Sequence, residues 1–403
     1  MVYEKQGSIS KSFMTSRILS VVIIVNELLR GGAQRIILNL ARDIDKGKFS
    51  ITVVYLKSHK NFGPDAATLE DELRQTGIRV ISLEGAQRFT PTDLLKLIRL
   101  LRNEKPDIVH TFLPYAGTLG RIAARIAGVP RIVSVQCNVR VAYDFWRYWL
   151  DRATLILAHA WIGATEGIEL EYGGSVAHFS KEEWNRGRRH FSIPSGVNME
   201  AIAESLAQLD RSKKRRELEV PSDGVMILMT ARLIRWKGHH DLLRALVHLP
   251  DSVHVFCAGW GPLREELLAL ARELRVSDRY HLLGARSDIY ELLGAADVYV
   301  QAHSAAPGGR IWNGPNASQV EACAAGVPSV STSVPLIEYL IEDGITGKLA
   351  EPNDPSSLSA AIKWMIDHPK EASSLGKAGR ERVRERYTLE RMVNQYEDLY
   401  LSL

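Results

Sequence analysis

The sequence predicts an α/β protein made of two doubly wound, Rossmann-like halves with a cleft between them. Three observations carry this. Continuous apolar runs such as Ile18–Val25 and Val225–Thr230 have the character of strands buried on both faces. They alternate with segments of helical spacing, the βαβα rhythm of a parallel sheet. The rhythm breaks in a charged stretch over residues 204–223 and then restarts. A chain of 403 residues, 45% hydrophobic and 24% charged, suits two or three globular domains. It excludes disorder, collagen and coiled coil as descriptions of the whole.

Residues 1–16 are polar and aperiodic, a loose leader. In the first half, residues 17–199, Ile18–Val25 is a strand and Gly31-Gly32 a turn. Ala33–Asp43 is a helix with Ile36, Ile37, Leu40 and Ala41 on one face. Ile51–Leu56 and Val80–Leu83 are strands, and Leu94–Arg102 is an amphipathic helix. Asp107–Thr111 is a strand, Gly117–Ala127 a helix and Arg131–Val135 a strand. Residues 142–157 form a helix mixing Tyr143, Phe145, Trp146, Tyr148 and Trp149 with Arg147 and Arg152. Its aromatic face either packs on its own sheet or lies on a membrane interface, and core packing is the simpler expectation. Residues 166–190, polar and glycine-containing, predict a long loop.

The second half spans 200–384. The basic run Arg211–Arg216 is expected to be a solvated linker or helix face rather than a nucleic-acid site. Val225–Thr230, Val253–Ala258, Asp297–Gln301 and Ser329–Thr332 are strands. Leu263–Leu274, Ser318–Ala325, Leu358–Ile366 and Ala372–Tyr387 are helices. A last helix within 385–403 is expected to pack back on the first half.

The longest apolar stretch near the start is too short to cross a bilayer, and Asn26-Glu27 follows it where a secretory signal would have small residues. Cys137, Cys257 and Cys323 lack metal spacing and are expected to be reduced, buried thiols in a cytoplasmic protein. Residues 1–199 hold 27 Lys+Arg against 19 Asp+Glu, and the rest 24 against 28. A basic front half suits an anionic partner, whether a membrane surface, a lipid phosphate or a nucleic acid, or else is a solvated mixed-charge surface; with a membrane as partner the protein would sit peripherally on its inner face.

Four loops carry chemistry. Gly31-Gly32 opens a helix, where unpaired N–H groups and the dipole favour anions. It lacks the third glycine of a dinucleotide fingerprint. Arg232 and Lys237, five residues apart, follow a buried strand at the sheet's carboxyl edge, a geometry suited to a diphosphate. Asn313-Gly314-Pro315-Asn316 leads into a helix bearing Glu321, a carboxylate placed for a ribose diol. Ala258-Gly259-Trp260-Gly261-Pro262, after a strand, either opens space at the same edge through its small residues or is a turn without ligand contact.

In order and spacing these loops resemble glycosyltransferase family 4, a GT-B-fold family. Further matches are Asp107-Ile108-Val109-His110, Pro194–Asn198, Glu321–Pro328, Asp343–Gly347 and Tyr396–Tyr400. The resemblance implies a retaining, metal-independent transferase whose co-substrate is a nucleoside-diphosphate-sugar, with no other cofactor. It implies that Arg232 and Lys237 clamp the diphosphate and that Glu321 binds the ribose. Gly31 and Gly32 would face donor phosphates and acceptor, and Arg286 would lie near the base. Asn313 stands where the family's Glu-x7-Glu signature has its first glutamate, so Asn313 and Glu321 are the candidate catalytic pair. The family's usual histidine after the fifth strand is absent, the segment reading Val135-Gln136-Cys137-Asn138. His110 is expected to be structural. Ala305–Arg310 is an unusual glycine-containing insertion. The implied acceptor is lipid-linked or polysaccharide, in envelope glycan synthesis. Two rivals remain: a binding protein that has lost turnover, and a nucleotide-sugar epimerase of the same fold.

Overall fold

A computed structural model describes residues 17–29, 31–57, 68–85, 90–137, 145–304 and 314–403. The leader at 1–16, Asn313 and the Ala305–Arg310 insertion therefore lie outside the described residues. Two parallel sheets organise the chain. The first holds β1 (Leu19–Val25), β2 (Phe49–Lys57), β3 (Arg79–Gly85), β4 (Ile108–Phe112), β5 (Arg131–Gln136), β6 (Ala160–Gly163) and β7 (His190–Ser192), in the order β3-β2-β1-β4-β5-β6-β7. The second holds β8 (Val225–Thr230), β9 (Val253–Ala258), β10 (Tyr280–Gly284), β11 (Val298–Gln301), β12 (Ser329–Thr332) and β13 (Lys348–Ala350), in the order β10-β9-β8-β11-β12-β13. Each order reverses beside its first strand, between β1 and β4 and between β8 and β11. That reversal opens the crevice in which such sheets hold ligands.

The apolar runs became strands because both faces are covered: Val21–Val25 are all at most 1% exposed. The helices of the first sheet include α1 (Gly32–Asp43), α2 (Glu70–Gln75), α3 (Pro91–Glu104), α4 (Pro114–Ala127) and α5 (Phe145–Thr154). The stretch expected as a long loop instead holds α6 (Glu166–Gly173) and α7 (Lys181–Asn185), and β6 precedes it. Both helices start at a hydroxyl cap: Thr165 accepts from the Ile168 N–H and Ser180 from the Glu183 N–H.

The basic run is α9 (Arg211–Glu217), which follows α8 (Met199–Gln208), and it is not a free linker. Lys214 pairs with Asp288 and Glu291, and Arg211 and Arg215 pair with Asp297. The second sheet is covered by α10 (His239–Leu246), α11 (Arg264–Glu273), α12 (Ile289–Ala295), α13 (Ala317–Ala324), α14 (Pro355–Asp367) and α15 (Pro369–Arg386).

The last helix, α16 (Leu389–Ser402), belongs to the first sheet's core. Met392, Val393, Tyr396, Leu399 and Tyr400 are buried among residues of β1, β2, β4 and β5. The Tyr400 hydroxyl lies 2.6 Å from Nδ1 of His110. His110 is fully enclosed, and burial pulls its pKa down to about 3, so it is a neutral packing residue. The chain thus passes between the sheets twice, through 193–198 and 387–389. The two crossings bond to each other: Val197 N–H donates to Tyr387 O at 2.9 Å and Leu389 N–H to Val197 O at 2.9 Å. A Cβ on Gly196 would stand 2.5 Å from Thr388 O, which is why glycine is needed there.

Helix α5 presents most of its aromatic residues outward, against the simpler expectation of core packing. Tyr148 and Asp151 are its buried residues, while Phe145, Trp146, Trp149 and Leu150 are exposed, Trp146 at 80%. An enclosed ion pair bolts the helix to α4. Arg121 Nη2 donates to Asp151 Oδ1 at 2.6 Å and to the Asp151 carbonyl at 2.8 Å, and Nη1 donates to Ser134 Oγ at 2.6 Å.

Candidate active site

The cleft between the sheets is built from the ends of α1, α12 and α13 and the crossing at 195–198. A cavity of about 260 Å³ is lined by Gly31, Gly32, Arg35 and Asn39 on one side and by Tyr290, Ala317 and Glu321 on the other. Gly31 and Gly32 start α1 without a side-chain cap and with no acidic residue in the first turn, so the helix start retains its positive end toward an anion. Two of the expected site elements thus meet in one space. Burial pushes the Glu321 carboxyl up to about 7, opposed by the Arg35 guanidinium across the cleft. Arg35, in the first turn of α1, was not singled out by sequence; its place one helical turn after Gly31 was the available signal. Tyr290, also on the cavity wall, carried no sequence signal. Glu27, at the exit of β1, is a half-buried carboxyl held above its usual range by desolvation, with Lys57 opposing.

Arg232 and Lys237 lie beside this cavity rather than in its lining, on the loop that leaves β8. The loop's shape is forced by glycine. Gly238 has φ +78°, and a Cβ there would stand 1.3 Å from the Ala302 carbonyl oxygen. In the turn Ala258–Pro262 the glycines let the loop after β8 come close: a Cβ on Gly259 would meet Ala231 O at 1.9 Å, and one on Gly261 would meet Leu233 O at 2.4 Å. Burial and the charge of Arg232 pull the Lys237 ammonium down to about 7.

Lys237 is joined to the cavity through α13. Lys237 Nζ is 3.2 Å from Nε2 of His303, which leaves β11, and Asn316 Nδ2 is 3.2 Å from the same nitrogen. Asn316 caps α13, its Oδ1 accepting from Gln319 N–H at 2.9 Å. Ala317 and Glu321 of that helix line the cavity. Sequence gave no sign of His303, because its partner lies 66 residues away. Arg286 forks onto Asp288, in the Lys214 network, and is not among the cavity's lining residues. Among the described residues no group of three His, Cys, Asp or Glu could hold a metal.

Residues 210–382 match the family model described as Glycosyl transferases group 1, and residues 31–176 that of the Glycosyl transferase 4-like domain. The Escherichia coli UDP-Gal:α-D-GlcNAc-diphosphoundecaprenol α-1,3-galactosyltransferase is 26% identical over 387 residues, covering 93% of this chain and 95% of its own. The lipopolysaccharide core biosynthesis glycosyltransferase LpsE of Rhizobium meliloti is 24% identical over 372 residues, covering 92% and 96%. Among solved structures, Anabaena HepE in complex with UDP-glucose superposes with a TM-score of 0.78 at 18% identity, covering 96% of this chain and all of that one. With both halves matched in order and the two-sheet architecture shared, the chain belongs to the glycosyltransferase family 4-like, GT-B-fold glycosyltransferases.

Proposed function

We propose that the protein is a retaining glycosyltransferase. It moves a hexosyl or related sugar from a nucleoside-diphosphate-sugar to a lipid-linked or polysaccharide acceptor in envelope or exopolysaccharide synthesis. The observation that carries this is the convergence of Lys237, the capped start of α13 and Glu321 opposite the open N-terminus of α1. As the sugar departs, negative charge grows on the leaving diphosphate. Two cations and a helix start stabilise that charge more in the transition state than in the ground state, which is what accelerates transfer. They supply what a divalent ion would otherwise supply, so the reaction proceeds without metal. Glu321 accepts from the ribose hydroxyls, and Asn313 contributes a neutral hydrogen bond to the sugar. The lipid-diphosphate acceptor named for the E. coli relative and the UDP-glucose bound by HepE support this donor and acceptor class.

The test is product analysis with labelled UDP-sugars, offered with a lipid-diphosphate saccharide, in excess chelator. The expected result is a glycoside with the donor's anomeric configuration. Nucleotide binding without glycoside would make the protein a binding relic, and an epimerised nucleotide-sugar would make it an epimerase. Activity lost in chelator and restored by Mg²⁺ would overturn the metal-free mechanism.

The acceptor side fits a peripheral position on the inner face of the membrane. No helix among the described residues is long and apolar enough to cross a membrane. Leu95, Ile126, Trp146, Trp149 and Ile156 are exposed on α3, α4, α5 and the turn after it, helices that pack on one another in sequence. Lys96, Arg99, Arg125, Arg147 and Arg152 are interspersed among them. The protein should therefore co-sediment with phosphatidylglycerol vesicles and release as salt rises. Arg147→Gln and Arg152→Gln should each weaken this roughly fivefold, for about 1 kcal/mol per basic residue at an anionic surface. Equal binding to neutral vesicles, or none to either, would contradict it.

A further inference from the structure

We propose that His303 is a positioning residue for the diphosphate site: its imidazole aims the Lys237 ammonium and locks it to the head of the helix that carries Glu321. The inference rests on the diphosphate reading of Lys237 and goes beyond it.

Topology brings the parts together. β8 and β11 are neighbours at the reversal of the second sheet, so the loops leaving them run side by side. The backbone around His303 is held on both flanks. Thr332 Oγ1 donates to the His303 carbonyl at 3.0 Å, and Ser304 N–H donates to Trp236 O at 3.2 Å. Ser304 Oγ also donates to Asp241 Oδ2, at 2.7 Å, at the start of α10. The imidazole itself is completely enclosed. It is therefore a fixed object to which a flexible lysine can be tied.

Its protonation follows from its neighbours. Lys237 Nζ and Asn316 Nδ2 are both donors, and both approach Nε2 at 3.2 Å. That nitrogen must be the acceptor, so the ring's proton sits on Nδ1 and the ring is neutral. Burial and the charge of Lys237 enforce the same state, holding the imidazole well below its usual pKa.

The choice of a neutral acceptor matters. A carboxylate in this place would hold the ammonium more strongly but would cancel the charge that the phosphates must feel. An uncharged imidazole directs the ammonium and leaves its charge available. Because Asn316 also caps α13, one nitrogen atom sets the distance between the lysine and that helix start. The lysine, the helix N–H groups and Glu321 then act as a single preformed cradle, and the lysine's freedom is spent before ligand arrives.

The test is a double-mutant cycle read by titration calorimetry with UDP, GDP and ADP as probes. His303→Leu should weaken binding of the preferred nucleotide at least tenfold, and His303→Gln, which restores an acceptor, should recover it to within about threefold of the parent protein. In a Lys237→Met background His303→Leu should have no further effect, because the histidine acts through the lysine. Should His303→Leu fail to fold, Asn316→Ser serves in its place. It keeps a capping oxygen but removes the amide donor, and should cost about threefold in the parent and nothing in the Lys237→Met protein.

Unchanged affinity in the fully folded His303→Leu protein would overturn the proposal. So would an equal loss in both backgrounds, or a His303→Gln protein as weak as His303→Leu. A parent protein that binds none of the three nucleotides would overturn the diphosphate reading, and this inference with it. Binding by the parent with a flat cycle would overturn this inference alone.

Discussion

Replacing Lys237 by alanine should weaken nucleoside-diphosphate binding by roughly 10- to 100-fold, since a charge-assisted bond contributes about 1.5–3 kcal/mol. The fold should survive, because the residue is only partly enclosed on a loop whose shape is set by Gly238. The loss should carry a pH signature. Burial and Arg232 bring the lysine's pKa to about 7, so in the free protein the ammonium is lost as pH rises through that value. Nucleotide affinity should therefore fall on the alkaline side of neutrality, by up to about tenfold per pH unit where one proton must be taken up on binding. That decline should be missing from Lys237→Ala. Arg232→Ala should show a different combination. One phosphate contact is lost, but the repulsion on Lys237 is relieved, so the alkaline decline should move to higher pH. Calorimetric affinities between pH 6 and 9 check all three. Equal affinity in Lys237→Ala, with an unchanged unfolding profile, would remove Lys237 from the diphosphate site.

Breaking the Arg121–Asp151 pair should be the most damaging single change to stability away from the cleft. The two side chains are 0% and 1% exposed. Arg121→Met leaves an enclosed carboxyl whose pKa is already raised by burial and which then lacks its cation. Removing one member of such a pair costs about 3–5 kcal/mol. Replacing both, in Arg121→Met with Asp151→Leu, should recover most of the loss, because an apolar pair carries no desolvation penalty. Urea denaturation followed by Trp fluorescence measures this, with Trp146 and Trp149 on the helix that the pair holds. A loss below about 1 kcal/mol in the single variant would show that the pair is not what seats α5.

The strands were legible because a parallel sheet covered on both faces demands unbroken apolar runs, as in Val21–Val25 and Met226–Met229. The helices α6 and α7 were not, because they are short and polar and are set by single capping hydroxyls rather than by an apolar period. β6 has only four residues, too few for its pattern to stand out. The basic run Arg211–Arg216 read as solvated because its carboxylates, Asp288, Glu291 and Asp297, come from the far side of the sheet in sequence. In the cleft, the glycines and Glu321 could be placed because backbone approach and a helix start leave local signatures. His303 and the Arg35–Glu321 opposition could not, since each exists only once the strand order brings distant loops together. The Ala258–Pro262 turn shows the converse. Its glycines were visible, but what fills the space above them was not.

The placement of α16 bears on how the protein is made. Residues 200–386 hold all of the second sheet and its own covering helices, so that unit can close as soon as it emerges from the ribosome. The first sheet emerges earlier yet lacks Tyr396, Leu399 and Tyr400 from its core until the last stretch has been synthesised. During that interval the pocket around His110 and Phe49 is open to solvent, an aggregation hazard for a nascent chain. Folding order should thus run against synthesis order. A fragment ending near residue 386 should contain a folded second unit joined to a loosened first one, and a free peptide covering 389–403 should be able to restore it.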